Sequence, residues 1–203
     1  SIDADYFNYD AEKSRDFLTK SFNANNEFQN INQSARGNSI QNLKNRSFKV
    51  DMEHPIQAIN LSYGVKISAT ESESKLDFFN TITGTPELDT NISNSFTYTE
   101  NNQAIYINGS KTINDKWQVQ LGLRLENTQT EGFSKELNQT TKNNYAKLFP
   151  TVFIMHNSND NNVFSFSYSK RIQRPAFSHL NPFRIYVSSN TYNQGNPFLQ
   201  PSF

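Results

Sequence analysis

The side chains of this sequence that could do chemistry are scarce and scattered. Its three histidines, His54, His156 and His179, stand far apart, near turns or in the C-terminal stretch, without the short spacings by which histidines share a metal. The run Gly109-Ser110-Lys111-Thr112 places a lysine after Gly-Ser but lacks the upstream glycine that lets a phosphate loop wrap a nucleotide. Neither a Gly-x-Ser-x-Gly elbow nor a metalloprotease histidine pair occurs. The oxygen-rich run NSNDNN, residues 157–162, could offer ligands to calcium, but it has neither the central glycine nor the distal glutamate of a calcium loop, and its Asn and Asp residues suit a tight hairpin. Cysteine is absent, which removes disulfides, thiol nucleophiles and zinc-thiolate sites. The sequence therefore predicts no enzyme, no cofactor and no metal site. What remains are charged and amide side chains spread along regular segments, and these act only where a fold gathers them.

The composition narrows that fold. Over 203 residues only 34% are hydrophobic and mean hydropathy is -0.74, yet 17 Phe and 9 Tyr are present, rings that a disordered chain would lack. The 29 Asn residues are poor helix formers that favour turns and polar strand faces. An all-β domain is the natural reading. Nineteen basic residues balance nineteen acidic ones, so no electrostatic footprint for nucleic acid exists. With no initiator Met, no leader-like segment and no apolar run of ~18 residues, the chain reads as a processed or excised piece rather than a protein with a membrane helix.

Period-two alternation marks the strands. In KWQVQLGLRLE, residues 116–126, Trp117, Val119, Leu121, Leu123 and Leu125 form one face, while Gln118, Gln120, Arg124 and Glu126 stand on the other. The same pattern recurs at 59–69 (Ile59, Leu61, Tyr63, Val65, Ile67 opposite Lys66), at 163–170 (Phe164, Phe166, Tyr168 opposite serines) and, shorter, at 48–52. Further strands are expected at about 1–8, 15–30, 93–113 and 145–156, giving an antiparallel up-and-down meander of about eight.

The connections carry more information than the strands. Short links are expected near 9–14, 54–57, 114–115 and 157–161; long polar links near 31–44, 75–92, 132–144 and 173–203. Strict alternation of short and long links is the pattern of a transmembrane β-barrel, with short periplasmic turns and long extracellular loops. Only every second residue then meets lipid, which reconciles low hydropathy with a membrane location. Trp117 and Tyr145, at strand ends, fit interfacial aromatic girdles. The competing fold is a soluble β-sandwich, whose strands average about 5–6 residues and whose connections need not alternate in length; its function would be a soluble or surface-displayed binding or adhesion module.

An ordered series of motifs then points to a family. NDKWQVQLGLRLE, LFPTVFI, FSFSYSKRIQRP, LNPF and GNPFLQP, in this order and across roughly residues 95–203, resemble the outer-membrane β-barrels of TonB-dependent receptor type. The resemblance implies a barrel of about twenty-two strands, an outer-membrane location, contact with outer-membrane lipid, a plug domain and the TonB system as partners, and uptake of a small nutrient such as an iron chelate, cobalamin, a glycan or a peptide. It also implies that Arg174-Pro175, Leu180 to Phe183 and Gly195 to Pro201 join two consecutive strands, so that a further strand follows Phe203. Gln200 and Ser202 depart from the basic and acidic or amide residues common at those places.

Two sets of residues are the candidates to face a ligand or the plug. On the lumen side of the strands, alternation names Lys49, Asp51, Glu53, Lys66, Gln118, Gln120, Arg124 and Glu126; their plainer role is solvation and cross-strand pairing. In the C-terminal stretch, Arg171, Arg174 and Arg184 mix with Phe177, Phe183, Tyr186 and Tyr192, a blend suited to gripping a polar ligand, and Asn181 and Asn196 belong to its two Asn-Pro-Phe motifs. The plainer alternative there is an extracellular loop that packs on its own rings.

Overall fold

A computed structural model describes residues 1–56, 59–159, 161–188 and 191–202. Its wall is one antiparallel sheet of long strands: β1 Ile2–Phe22, β2 Phe28–Ile56, β3 Ile59–Asn80, β5 Asn94–Asn114, β6 Trp117–Ser134, β7 Gln139–Asn159 and β8 Asn162–Ser169, with the two-residue β4 Glu87–Leu88 pairing β3. Each long strand pairs with the next, in the order β1-β2-β3-β5-β6-β7-β8. This is the expected all-β meander, curled as a single layer. A sandwich of two comparable sheets is not formed: among the described residues the second sheet is only the two-stranded hairpin of residues 184–194.

Register explains why the sheet curls with one oily side. Ile2, Val50, Val65, Ile105, Leu125 and Leu148 lie side by side across six strands in one unbroken row. The neighbouring row holds Met52, Tyr63, Ile107, Leu123 and Pro150, and the next Leu61, Leu121, Val152 and Tyr168. These side chains point to the convex face and stay exposed; Ile105 is 58% and Leu121 55% accessible. Residues of opposite parity line the concave face. In one of its rows Lys49, Lys66, Ala104, Glu126 and Lys147 follow one another from β2 to β7.

The strands are far longer than expected. β2 alone has 29 residues, about 95 Å at ~3.3 Å each, whereas ~9–11 residues span a bilayer. The expected short link at 9–14 is interior to β1, where Tyr9 to Ser14 pair Leu43 to Asn38, and the expected long loop at 31–44 is the middle of β2. The strands expected at 1–8 and 15–30 are thus one strand and its turn. That turn is Asn23–Glu27: Asn26 takes φ +62°, and the Asn23 carboxamide oxygen accepts from the Asn25 and Glu27 amides at 2.9 Å each. Likewise the loops expected at 75–92 and 132–144 shrink to 81–93, interrupted by β4, and to 135–138. The physical reason is common to all four. Beyond the apolar rows the convex face no longer carries a continuous apolar row, and the rings that do occur on the concave face, such as Phe78 and Phe96, meet the tail, so regular alternation is lost while backbone pairing continues. The links near 54–57 and 157–161 include residues 57 and 160, which lie outside the described residues; the Asn114–Trp117 connection is a tight hairpin as expected, with the Asn114 side chain accepting from the Lys116 and Trp117 amides.

The C-terminal stretch overturns a second expectation. It does not pack only on its own rings: after β8 the chain folds back across the concave face as α1 Phe177–Leu180, β9 Arg184–Ser188 and β10 Thr191–Gln194, the last two forming a hairpin. The buried core sits in this interface. Phe96 of β5 is 2% exposed, with Phe177 and Phe183 at ring separations of 5.7 and 6.4 Å, and Tyr186 lies 6.0 Å from Phe78 of β3. Aromatic pairs at these separations add to the stability that area burial provides.

Candidate functional site

The site grows from the parity of β5 and β6. Glu100, Asn102, Tyr106, Arg124, Glu126 and Thr128 all point to the concave face, and the tail supplies one cation from above, Arg174. Its Nη2 donates to the Glu126 carboxylate at 2.6 Å and to the Thr128 hydroxyl at 3.1 Å, while its Nε lies 3.5 Å from Glu100. Glu126 is only 7% exposed, and it also accepts from Arg124 Nε at 2.5 Å and from Asn102 Nδ2 at 3.4 Å. A buried carboxylate persists when two guanidiniums and an amide saturate its lone pairs. Burial is the largest single influence on Arg174 and works against its charge, but the hydrogen bond to Glu126, the interactions with Tyr145 and the Glu126 charge together outweigh it and hold the pKa above the ordinary arginine value.

The network continues along one register row. Arg124 stacks over the Tyr106 ring at 5.4 Å, the Tyr106 hydroxyl donates to Asp51, and Asp51 pairs with Lys49. Tyr106 and Asp51 are separated by a whole strand, and the residue between them is Gly64. A Cβ there would sit 2.6 Å from the tyrosine oxygen and 2.5 Å from the Val50 carbonyl; the missing side chain is what lets the phenol lie across β3. Beside this row an open recess of about 650 Å³ is lined by Lys49, Asp51, Arg124, Glu126 and Arg171 among others.

The tail is held in shape by its two Asn-Pro-Phe motifs, which adopt the same turn. The Asn181 carboxamide oxygen accepts from the Phe183 amide at 3.0 Å, and that of Asn196 from the Phe198 amide at 2.9 Å. The motifs also grip each other, Gly195 N–H donating to the Asn181 carbonyl at 2.9 Å and Asn196 N–H to the His179 carbonyl at 2.7 Å. A Cβ on Gly195 would fall 2.4 Å from the Asn181 oxygen, so a glycine is required at this close approach.

Residues 1–203 match the family model described as the outer membrane protein beta-barrel family. The chain belongs to that family. Outer-membrane protein beta-barrels meet lipid through their convex side, so the exposed apolar rows are the lipid face, and the protein resides in the outer membrane. Among solved structures, the ferric citrate transporter FecA in its unliganded form is similar at 11% identity with a TM-score of 0.46; the superposition covers 78% of this chain and 23% of the transporter. No curated protein matches the sequence.

Within this outer-membrane barrel wall the sequence-predicted residues divide. Arg124, Glu126 and Arg174 come together with Lys49 and Asp51, and Arg171, whose Nε donates to Ser169 at 3.3 Å, borders the same recess. Lys66 shares the row of Lys49 and Glu126. Glu53, Gln118 and Gln120 lie nearer the short turns, away from the cluster. Arg184 packs over the Tyr192 ring at 5.0 Å, and Tyr192 on Tyr186 at 5.6 Å, so these three form a separate cluster on the hairpin. Asn181 and Asn196 direct their carboxamide oxygens to backbone turns. Sequence reasoning missed Glu100, Asn102, Tyr106 and Thr128. Counting parity in both directions from Ile105 and Leu125 would have placed all four on the concave face.

Proposed function

We propose that this chain forms part of the wall of an outer-membrane transporter of TonB-dependent type, which takes up a small nutrient such as an iron chelate, cobalamin, a glycan or a peptide and performs no chemical reaction on it. The observation that carries this reading is the tail: a segment of some thirty residues lies inside the curl of the wall, tied by Arg174 to Glu126 rather than projecting outward. In this reading Arg124, Glu126, Arg171 and Arg174 stand beside the solute path, with Arg184, Tyr186 and Tyr192 at its hairpin rim and the turns of Asn181 and Asn196 shaping the segment.

In this reading the short connections face the periplasm and the long ones the exterior. The sheet path ends at β1 and β8, which do not pair with each other. Lipid cannot satisfy an open ladder, so further strands complete the wall, and a plug domain and the TonB system act as partners of the whole. The paired charges of the Arg124–Glu126–Arg174 and Lys49–Asp51 network suit a surface that a polar solute or a plug must slide along, because these ions already have partners and hold a passing ligand weakly.

The test is uptake of labelled iron chelates, cobalamin, oligosaccharides and peptides by cells expressing the full-length protein in an outer membrane, with and without a functional TonB system. Uptake of one class that ceases without TonB is expected. Uptake that persists without TonB overturns the energy coupling, and no uptake of any class overturns the transporter reading.

A further inference from the structure

A second recess on the concave face differs from the charged network in kind, because cations line it and no carboxylate does. It lies between the β9–β10 hairpin and the inner face of β1–β3 and encloses about 180 Å³. Its floor is aromatic: Phe17 and Phe78 stand 5.8 Å apart, with Tyr186 of the hairpin 6.0 Å from Phe78. Its lip is Lys13 and Arg15, two residues apart on the same face of β1. Arg15 directs one guanidinium N–H to the Tyr186 carbonyl at 3.0 Å, which joins lip to hairpin and leaves its other donors free to turn inward. The Lys13 ammonium has no ion-pair partner among the described residues. The adjacent acids Glu12 and Asp16 have the opposite parity and point to the convex face, where Asp16 pairs with Arg36.

The space itself has an identifiable origin. Gly37 lies between Arg15 and Phe78 in the register, and a Cβ there would make ordinary contact with Phe78, Phe17 and Leu76 at 3.5, 3.7 and 3.8 Å. A Cβ at 37 would therefore fit, a longer side chain would extend into the recess, and glycine keeps it open. At this volume the cleft is smaller than the ~300–1,000 Å³ of a drug-sized site. It accommodates one ring or a short branched chain, not a chelate complex or an oligosaccharide.

We infer that this cleft binds a small organic anion with a compact apolar body, an aryl or branched-alkyl carboxylate, its carboxylate on Lys13 and Arg15 and its body against Phe17, Phe78 and Tyr186. The inference rests on the proposed function only in taking the concave face to be open to solutes. Two unopposed cations select the charge, and the aromatic floor selects the body. The chemistry is that of a single carboxylate on an apolar ring or branch, rather than of a polyol or a polyanion.

The test uses the full-length protein in detergent micelles, titrated with benzoate and with benzyl alcohol, its uncharged counterpart, by calorimetry. Benzoate is expected to bind more tightly than benzyl alcohol. Lys13→Gln, on an exposed side chain that folding does not need, is expected to weaken benzoate about fivefold and to leave benzyl alcohol unchanged; Gly37→Leu is expected to abolish both, with strand content intact by circular dichroism. Benzoate binding no tighter than benzyl alcohol, or unmoved by Lys13→Gln, overturns the inference. Nutrient uptake measured on the same variants separates the two proposals: uptake that continues while benzoate fails to bind removes this inference alone, and benzoate binding without uptake removes the transporter alone.

Discussion

Arg174 and Glu126 are 48 positions apart in the chain and 2.6 Å apart in the fold, joined by a hydrogen-bonded ion pair between the returning tail and the inner wall. The carboxylate is one-tenth exposed at its side chain and the guanidinium about one-quarter. Pairs this enclosed matter chiefly through what is left behind when one partner is removed.

Arg174→Met leaves Glu126 with Arg124 and Asn102 but frees the tail's one charged tether to β6. The expected cost is about 2 kcal/mol, less than for a fully buried pair because water reaches the guanidinium. Tryptic cleavage after Arg184 should accelerate more than about tenfold, and an unchanged cleavage rate would show that the rings alone hold the tail.

Phe96→Ala tests those rings. The side chain is 2% exposed between Phe177, Phe183 and the wall. Removal leaves a cavity that the rigid β5 backbone cannot close, at about 3 kcal/mol. The midpoint of thermal unfolding in detergent should fall, and the tail should become protease-sensitive while β5 to β7 retain their circular dichroism.

Gly64→Ala places a Cβ against the Tyr106 phenol and the Val50 carbonyl. Overpacking of this kind costs about 1–3 kcal/mol. Combining it with Tyr106→Ser should recover part of the loss, since only one of the two clashes disappears; a double-mutant cycle reads the coupling, and strict additivity would rule out the phenol as the obstacle.

Leu121→Arg and Asn101→Arg place the same charge on the convex face at two heights, one in the apolar rows and one in the polar extension above them. The first should cost about 2–4 kcal/mol in phospholipid vesicles and the second close to zero, measured by urea unfolding. Equal costs would mean that the lipid boundary lies elsewhere.

Alternation at 59–69 and 116–126 was legible in the sequence because there one face meets lipid and the other water, and the two solvents demand opposite side chains. The same ladder at 9–14 and 31–44 was illegible, because beyond the apolar rows neither face meets lipid and pairing leaves no regular pattern in side-chain polarity. The long connections of the expected barrel are therefore mostly strand. The lumen candidates Arg124 and Glu126 followed from parity alone. Glu100 escaped notice because Thr99 and Asn101, its convex neighbours, are as polar as it is, and Tyr106 because a ring between Ile105 and Ile107 reads as part of a continuous apolar run.

By itself the sequence determined the all-β class, the oily face, the register of its strongest strands and the motifs of the tail, since each depends on neighbours one or two residues away. Where the tail goes was decided only by tertiary structure. Whether thirty residues rich in Arg, Phe and Tyr project outward or fold inward depends on what opposes them, and the opposing groups, Phe78, Phe96, Glu100 and Glu126, are distant in sequence and gather only when the sheet curls.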